Sequence, residues 1–157
     1  MSTARHTRTL AVALVAAAAV SFAAFADGEL APLSQDAVLA LPKSGDAAPF
    51  VLDVRTPEEF VSGHVPGAVN IPYDQIAARL AEVPKDKDVV LYCRSGRRAG
   101  MAGEVLAENG YTRLQHLQGD IVAWQEQQRP LEVPRDPGGC AEALKQGQPQ
   151  AEACNPN

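Results

Sequence analysis

Cys93 stands where a thiol could be put to work. It closes the apolar run Val89-Val90-Leu91-Tyr92 and opens the stretch Arg94-Ser95-Gly96-Arg97-Arg98. A strand that runs into a tight loop and then a helix leaves the cysteine at the carboxyl end of the strand, the place where open parallel sheets hold their ligands. Gly96 permits a tight or left-handed turn. Backbone N–H groups turned inward there, with the positive end of the following helix, favour an anion. Arg94, Arg97 and Arg98 add positive charge to the same few residues. The thiolate is the nucleophilic form of cysteine, and these are surroundings that suit it. An isolated strand-end cysteine reads as buried and inert. The glycine and three arginines turn the reading toward a nucleophile that holds an anionic group.

The elements that must position this loop follow from the pattern on either side. Ser34 caps a short helix through Leu41, with Val38 and Leu41 on one face and Pro42 as its stop. Phe50 to Val54 reads as a buried strand. Thr56-Pro57-Glu58-Glu59 then starts a helix with a cap, proline at its first position and acids in its first turn. Ala68 to Ile71 is a second short strand after the turn residues Gly63, Pro66 and Gly67. Ile76, Leu80 and Val83 carry helical spacing across Tyr73 to Val83, ended by Pro84. Asp88 to Tyr92 is the most strand-like segment, and Ala99 to Asn109 is a helix closed by Gly110. Leu114 to Leu117 is a strand and Ile121 to Gln127 a last helix, with Trp124 in the core. Strands alternating with helices predict an α/β fold with a parallel sheet covered on both faces.

The two ends differ from this middle. Arg5 and Arg8 precede the apolar run Leu10 to Val20, and small residues Ala24 and Ala26 follow, the three parts of a secretory signal peptide. Cleavage is expected after Ala26, which makes residues 1–26 a leader. An uncleaved membrane anchor is the alternative, but Leu10 to Phe25 is short of the ~20 apolar residues a spanning helix needs. Removing the leader takes away two of the 14 basic residues and none of the 19 acidic ones. The remainder is therefore more acidic than the full chain, whose net charge is −5. The basic footprint of a nucleic-acid binder is absent, no membrane partner is expected after cleavage, and the protein is expected in the periplasm or secreted. In such an oxidising compartment Cys140 and Cys154 are expected to pair. Free tail thiols, or a regulatory pair that engages Cys93, are the alternatives. Residues 27–133 form the domain, and 134–157 a strapped tail with no packing pattern of its own. No His or Cys cluster has metal-ligand spacing.

Leu52-Asp53-Val54-Arg55-Thr56-Pro57-Glu58-Glu59-Phe60, then Gly63-His64-Val65-Pro66-Gly67-Ala68-Val69-Asn70-Ile71-Pro72, closely resembles the first two signature stretches of the rhodanese family. Leu91 to Ala99 resembles that family's catalytic loop. Gly119 followed by Ala123-Trp124 resembles its last signature. The resemblance implies a five-stranded parallel sheet with helices on both faces. It also implies a thiosulfate sulfurtransferase chemistry: Cys93 takes sulfane sulfur from a small donor such as thiosulfate, carries it as a persulfide, and passes it to a thiophilic acceptor such as cyanide or a thiol. No metal, nucleotide or flavin is called for. Phosphatases that share the fold have five residues between their cysteine and closing arginine. Here Arg94 to Arg97 are four, which favours a sulfur-sized cradle and disfavours a phosphatase or arsenate reductase.

With that resemblance, Cys93 is the catalytic residue, and backbone N–H groups from Arg94 through Ser95, Gly96 and Arg97 to Arg98 stabilise the anionic sulfur. Arg94 and Arg97 steer and hold the sulfonate end of the donor, and Arg98 closes the loop. Asp53 and Arg55 match the family's Asp-x-Arg and read as an internal charge network supporting the loop. His64 reads as a turn-stabilising residue and His116 as a strand-end residue of no special role. Where the family often has paired glycines, this chain has Gly119-Asp120, which bears on the local loop shape. A non-enzymatic sulfur-carrier or protein-binding module on the same fold is the main rival, and saturable turnover with small donors separates the two.

Overall fold

The computed structural model describes residues 30–148 and 152–156. The expected leader, with its cleavage point at Ala26, lies outside the described residues. Five parallel strands form one sheet in the order β1-β5-β4-β2-β3, with β1 at Ala31–Leu33, β2 at Phe50–Asp53, β3 at Val69–Asn70, β4 at Val89–Tyr92 and β5 at Leu114–Leu117. This is the α/β architecture expected, with β1 added: the three-residue strand lies ahead of the first helix and has too little alternation to read from sequence.

β4 is the centre of the sheet, and all four of its residues are buried. Its side chains alternate between faces, as strand geometry requires. Val89, Leu91 and Cys93 belong to a core with Leu52, Ile71, Ile76, Ala102 and Leu106. Val90 and Tyr92 belong to a second core with Val38, Val65, Leu117, Ile121 and Trp124. Helix α3 (Arg97–Glu108) covers the first face, while α1 (Gln35–Ala40) and α4 (Asp120–Glu126) cover the second. Trp124 is fully buried and its indole N–H donates to the Pro130 carbonyl at 2.7 Å.

Two expectations are corrected here. Tyr73 to Val83 is not one α-helix but two 3-10 helices, Tyr73–Ala78 and Leu80–Glu82, interrupted at Arg79. The apolar spacing still serves, since Ile76 and Val83 are buried in the first core. Tyr111 secures the end of this segment: its hydroxyl lies within hydrogen-bond reach of the Leu80 and Val83 carbonyls of the last turn.

The tail is the second correction. It has a packing pattern: α5 (Pro137–Lys145) begins with Pro137 at its first position, and Asp136 caps it by accepting the Gly139 amide at 3.0 Å. Cys140 and Leu144 are fully buried against Phe60 of α2 (Pro57–Val61). Cys140 and Cys154 are joined by a disulfide, and Cys93 is the free cysteine.

Candidate active site

Cys93 follows β4 directly, so its position is fixed by the most buried strand of the sheet. It is 1% exposed, and its Sγ accepts the Gly96 amide at 3.2 Å. Gly96 has φ +93°, a conformation glycine adopts at little cost, and it is the residue from which α3 starts. The helix begins at Arg97 rather than Ala99, so Arg97 and Arg98 lie in its first turn and the loop proper is Cys93 to Gly96. Of the expected donors, Gly96 is the one whose amide reaches sulfur. Its backbone direction and the helix N-terminus act together on the same atom.

An open cavity of about 360 Å³ lies over the thiol, lined by Tyr73, Cys93, Arg94, Ser95, Arg97, Arg98 and Met101. Arg94, Ser95 and Arg97 are exposed around it, and Gly96 is half-buried. A larger hollow of about 420 Å³ at the sheet edge, between Leu30 and Tyr111, is lined by none of these residues and by no cysteine.

Arg98 is held differently from its neighbours. Its guanidinium forks onto Glu59 at 2.6 and 2.8 Å. Glu59 is itself fixed by the α2 capping box, in which Thr56 and Glu59 exchange side-chain to backbone hydrogen bonds. Arg98 holds the Glu59 carboxyl down at about 2, mainly through that fork. The same pairing raises Arg98, with a smaller contribution from Cys93 close by. Glu59 was visible in sequence as an acid in the first turn of α2; its role as the anchor of Arg98 depends on a contact across 39 positions that no local pattern reveals.

Asp53 and Arg55 form an internal charge pair away from the cavity lining. Both are buried and paired at 2.6 Å. Arg55 also donates to the Gly63 carbonyl, and its guanidinium lies 5.7 Å from the centre of the Tyr92 ring. Asn70 donates to the carbonyls of Asp53 and Arg55 at 2.9 Å. Tyr92 accepts the Val65 amide, and burial raises its hydroxyl well above the usual tyrosine value. The network thus ties the end of β2 to the residue preceding Cys93. His64 fits its expected turn role: the ring stacks on Phe60 at 3.7 Å, Nδ1 meets the Phe60 carbonyl, and burial lowers its basicity.

His116, read from sequence as a residue of no special role, and Asp120 both belong to the surroundings of the Cys93 loop. Asp120 accepts the Cys93 amide at 2.7 Å, and His116 Nε2 lies 3.0 Å from the same carboxylate. The signal available in sequence was the departure from Gly-Gly at Gly119-Asp120. The strand-to-helix turn that brings His116 back onto Asp120 was not readable from spacing.

Comparisons with known proteins agree with this geometry. Residues 34–127 match the Rhodanese family, described as a rhodanese-like domain. The chain is similar to a sulfurtransferase of Allochromatium vinosum, 43% identical over 85 residues, covering 54% of this chain and 79% of that protein. It is likewise similar to the thiosulfate sulfurtransferase PspE of Escherichia coli, 43% identical over 75 residues, covering 46% of this chain and 72% of that protein. Among solved structures it is similar to a rhodanese-related protein from Thermoplasma volcanium, with a TM-score of 0.56 and 26% identity, covering 64% of this chain and 96% of that one. A matching fold, a matching signature order and a buried thiol at the head of α3 lead to one assignment: the chain belongs to the rhodanese-like domain family.

Proposed function

We propose that this protein is an exported sulfurtransferase that moves sulfane sulfur from thiosulfate, or a like donor, to cyanide or a thiol through a persulfide on Cys93. Membership of the family and the relatives named sulfurtransferases support sulfur transfer in general. The observation that carries the finer reading is the Cys93 sulfur itself, buried, met by the Gly96 amide and overlooked by Arg94 and Arg97.

The steps balance without an external oxidant. The Cys93 thiolate attacks the outer sulfur of thiosulfate, the S–S bond of the donor breaks, and sulfite leaves with that bond's electron pair. Cys93 then carries a persulfide anion, which the Gly96 N–H and the α3 N-terminus stabilise as they would the developing charge. Attack by cyanide on the terminal sulfur forms thiocyanate and returns the thiolate. Arg94 and Arg97 orient the sulfonate end of the donor, while Arg98, fixed on Glu59, closes the loop. Ser95 lines the mouth of the cavity. No base is needed once Cys93 is ionised.

The leader reading belongs to the same proposal. Residues 1–26 direct export and are removed after Ala26, leaving Asp27 first, in a compartment where the Cys140–Cys154 bridge persists. N-terminal sequencing of the protein recovered from a periplasmic fraction checks that point; a start at Met1 in the cytoplasm would overturn it.

The decisive test supplies thiosulfate and cyanide to the purified protein, follows thiocyanate, and weighs the Cys93 peptide at each stage beside Cys93→Ser. Saturable turnover, one sulfur atom gained and then lost at Cys93, and none in the variant, is the expected result. Sulfur held without turnover would make the protein a carrier, and no sulfur on reduced Cys93 would sink both.

A further inference from the structure

Asp120 occupies a position where an L-residue is disfavoured. Its φ is +53°, directly after Gly119 at +75°, and glycine takes such a conformation without the clash of a Cβ. Its side chain is nonetheless buried, and the polar contacts of its carboxylate lead to the sulfur loop. Oδ1 accepts the Cys93 amide at 2.7 Å. His116 Nε2 lies 3.1 Å from Oδ1 and 3.0 Å from Oδ2. The imidazole in turn backs Gly96: a Cβ built there would meet His116 Cε1 at 3.3 Å and Asp120 Oδ2 at 3.4 Å. Gly96 is the residue whose amide is directed at Sγ. One carboxylate and one imidazole therefore brace both ends of the Cys93–Gly96 arc from outside the cavity lining.

The imidazole meets Asp120 of α4 and the Gly96 backbone of the loop, and its neighbours in register on the flanking strands are Pro32 and Leu91. The ring is partly open to solvent, with 28% of its side chain exposed.

We propose that His116 and Asp120 are a positioning pair for Cys93, the carboxylate holding the Cys93 amide and the imidazole backing Gly96, so that the reactivity of the sulfur depends on both. The role of Cys93 as sulfur carrier is the reading on which this rests. Neither residue touches the donor; both act through the loop.

Asp120→Gly is the informative variant, because glycine relieves the left-handed backbone while removing the carboxylate, so the fold is kept. The purified protein and its variants are compared by iodoacetamide alkylation of Cys93 and by single-turnover sulfur loading from thiosulfate. Asp120→Gly keeps the melting temperature and loads sulfur about tenfold more slowly, the worth of one charge-assisted hydrogen bond. Asp120→Asn, which tolerates positive φ and keeps an acceptor oxygen, recovers the loading rate. His116→Gln keeps the melting temperature and slows both alkylation and loading severalfold.

Variants that alkylate and load as the wild type does overturn the proposal, as do variants that lower the melting temperature while leaving both rates unmoved. Slower alkylation in Asp120→Gly and His116→Gln, from a protein that takes up no sulfur, would leave the pair standing and overturn the sulfurtransferase reading instead.

Discussion

Arg98 is forked onto Glu59, whereas Arg94 and Arg97 make no ion pair among the described residues, so the dianionic donor proposed would meet two unneutralised cations at the cavity mouth. Arg94→Ala and Arg97→Ala are each expected to raise KM for thiosulfate about tenfold with kcat little changed, as initial rates would reveal, since a contact made equally in ground and transition state affects binding alone. Glu59 contributes differently, through stability. Its folded carboxyl sits at about 2 against an ordinary 4.5. A depressed carboxyl stabilises the fold above the ordinary value and ceases to as pH falls through the depressed one. Glu59→Gln should therefore cost about 1 kcal/mol at neutral pH, a figure reduced for the partial exposure of the pair. The gap from wild type should close between about pH 4.5 and 2 in urea titrations. His64 works in another window. Burial lowers it below its ordinary 6.5, so the unfolded chain takes up its proton first and stability falls as pH drops below 6.5. His64→Gln should remove that loss while leaving the Glu59 window in place.

The turn from β5 into α4 is the tightest junction near the site. Gly119 has φ +75°, and an added Cβ would collide with the Cβ of Ala123 one turn on. Gly119→Ala is expected to cost about 2–4 kcal/mol, combining a left-handed backbone with overpacking, and to disturb Cys93 because the Ile121 amide donates to the Cys93 carbonyl. Thermal unfolding with parallel sulfur loading tests both. Elements of this kind were legible where a local rule applied. Thr56-Pro57 announced α2 through cap and proline, Gly110 closed α3 through its positive φ, and the unbroken apolar run of β4 declared a strand buried on both sides. Legibility failed where a distant partner decides the outcome. The segment after Tyr73 folds as 3-10 turns, with Tyr111 reaching its last carbonyls from 28 and 31 positions on. β1 exists because β5 is there to pair with it. Within the site, Cys93, Gly96 and the three arginines are contiguous and could be read together. Glu59, His116 and Asp120 reach the loop from α2, β5 and α4, and only the fold brings them in.

At the scale of the molecule, the tail is a covalently closed unit laid on α2. Lys145 pairs with Glu58 at 2.8 Å, and Cys140 and Leu144 bury against Phe60. Replacing both Cys140 and Cys154 by alanine reopens a loop of about 15 residues, with a loss on the order of 3 kcal/mol in the chain-entropy model. Limited proteolysis of that variant should cut first within 134–157 while the sheet-bearing core persists. The strand order has a consequence of another kind, for how the chain comes to be folded. β1 ends at Leu33, yet its partner β5 is complete only at Leu117, and β4 must find β2 and β5 on its two sides. Contacts so far apart in the chain are slow to form, because loop closure must precede any gain from pairing. A chain emerging from a ribosome therefore holds β1 without its neighbour until nearly three-quarters of the sequence is out. The site shares that delay. The carboxylate that receives the Cys93 amide belongs to α4, beyond β5, so the thiol acquires its setting only when the sheet is about to close.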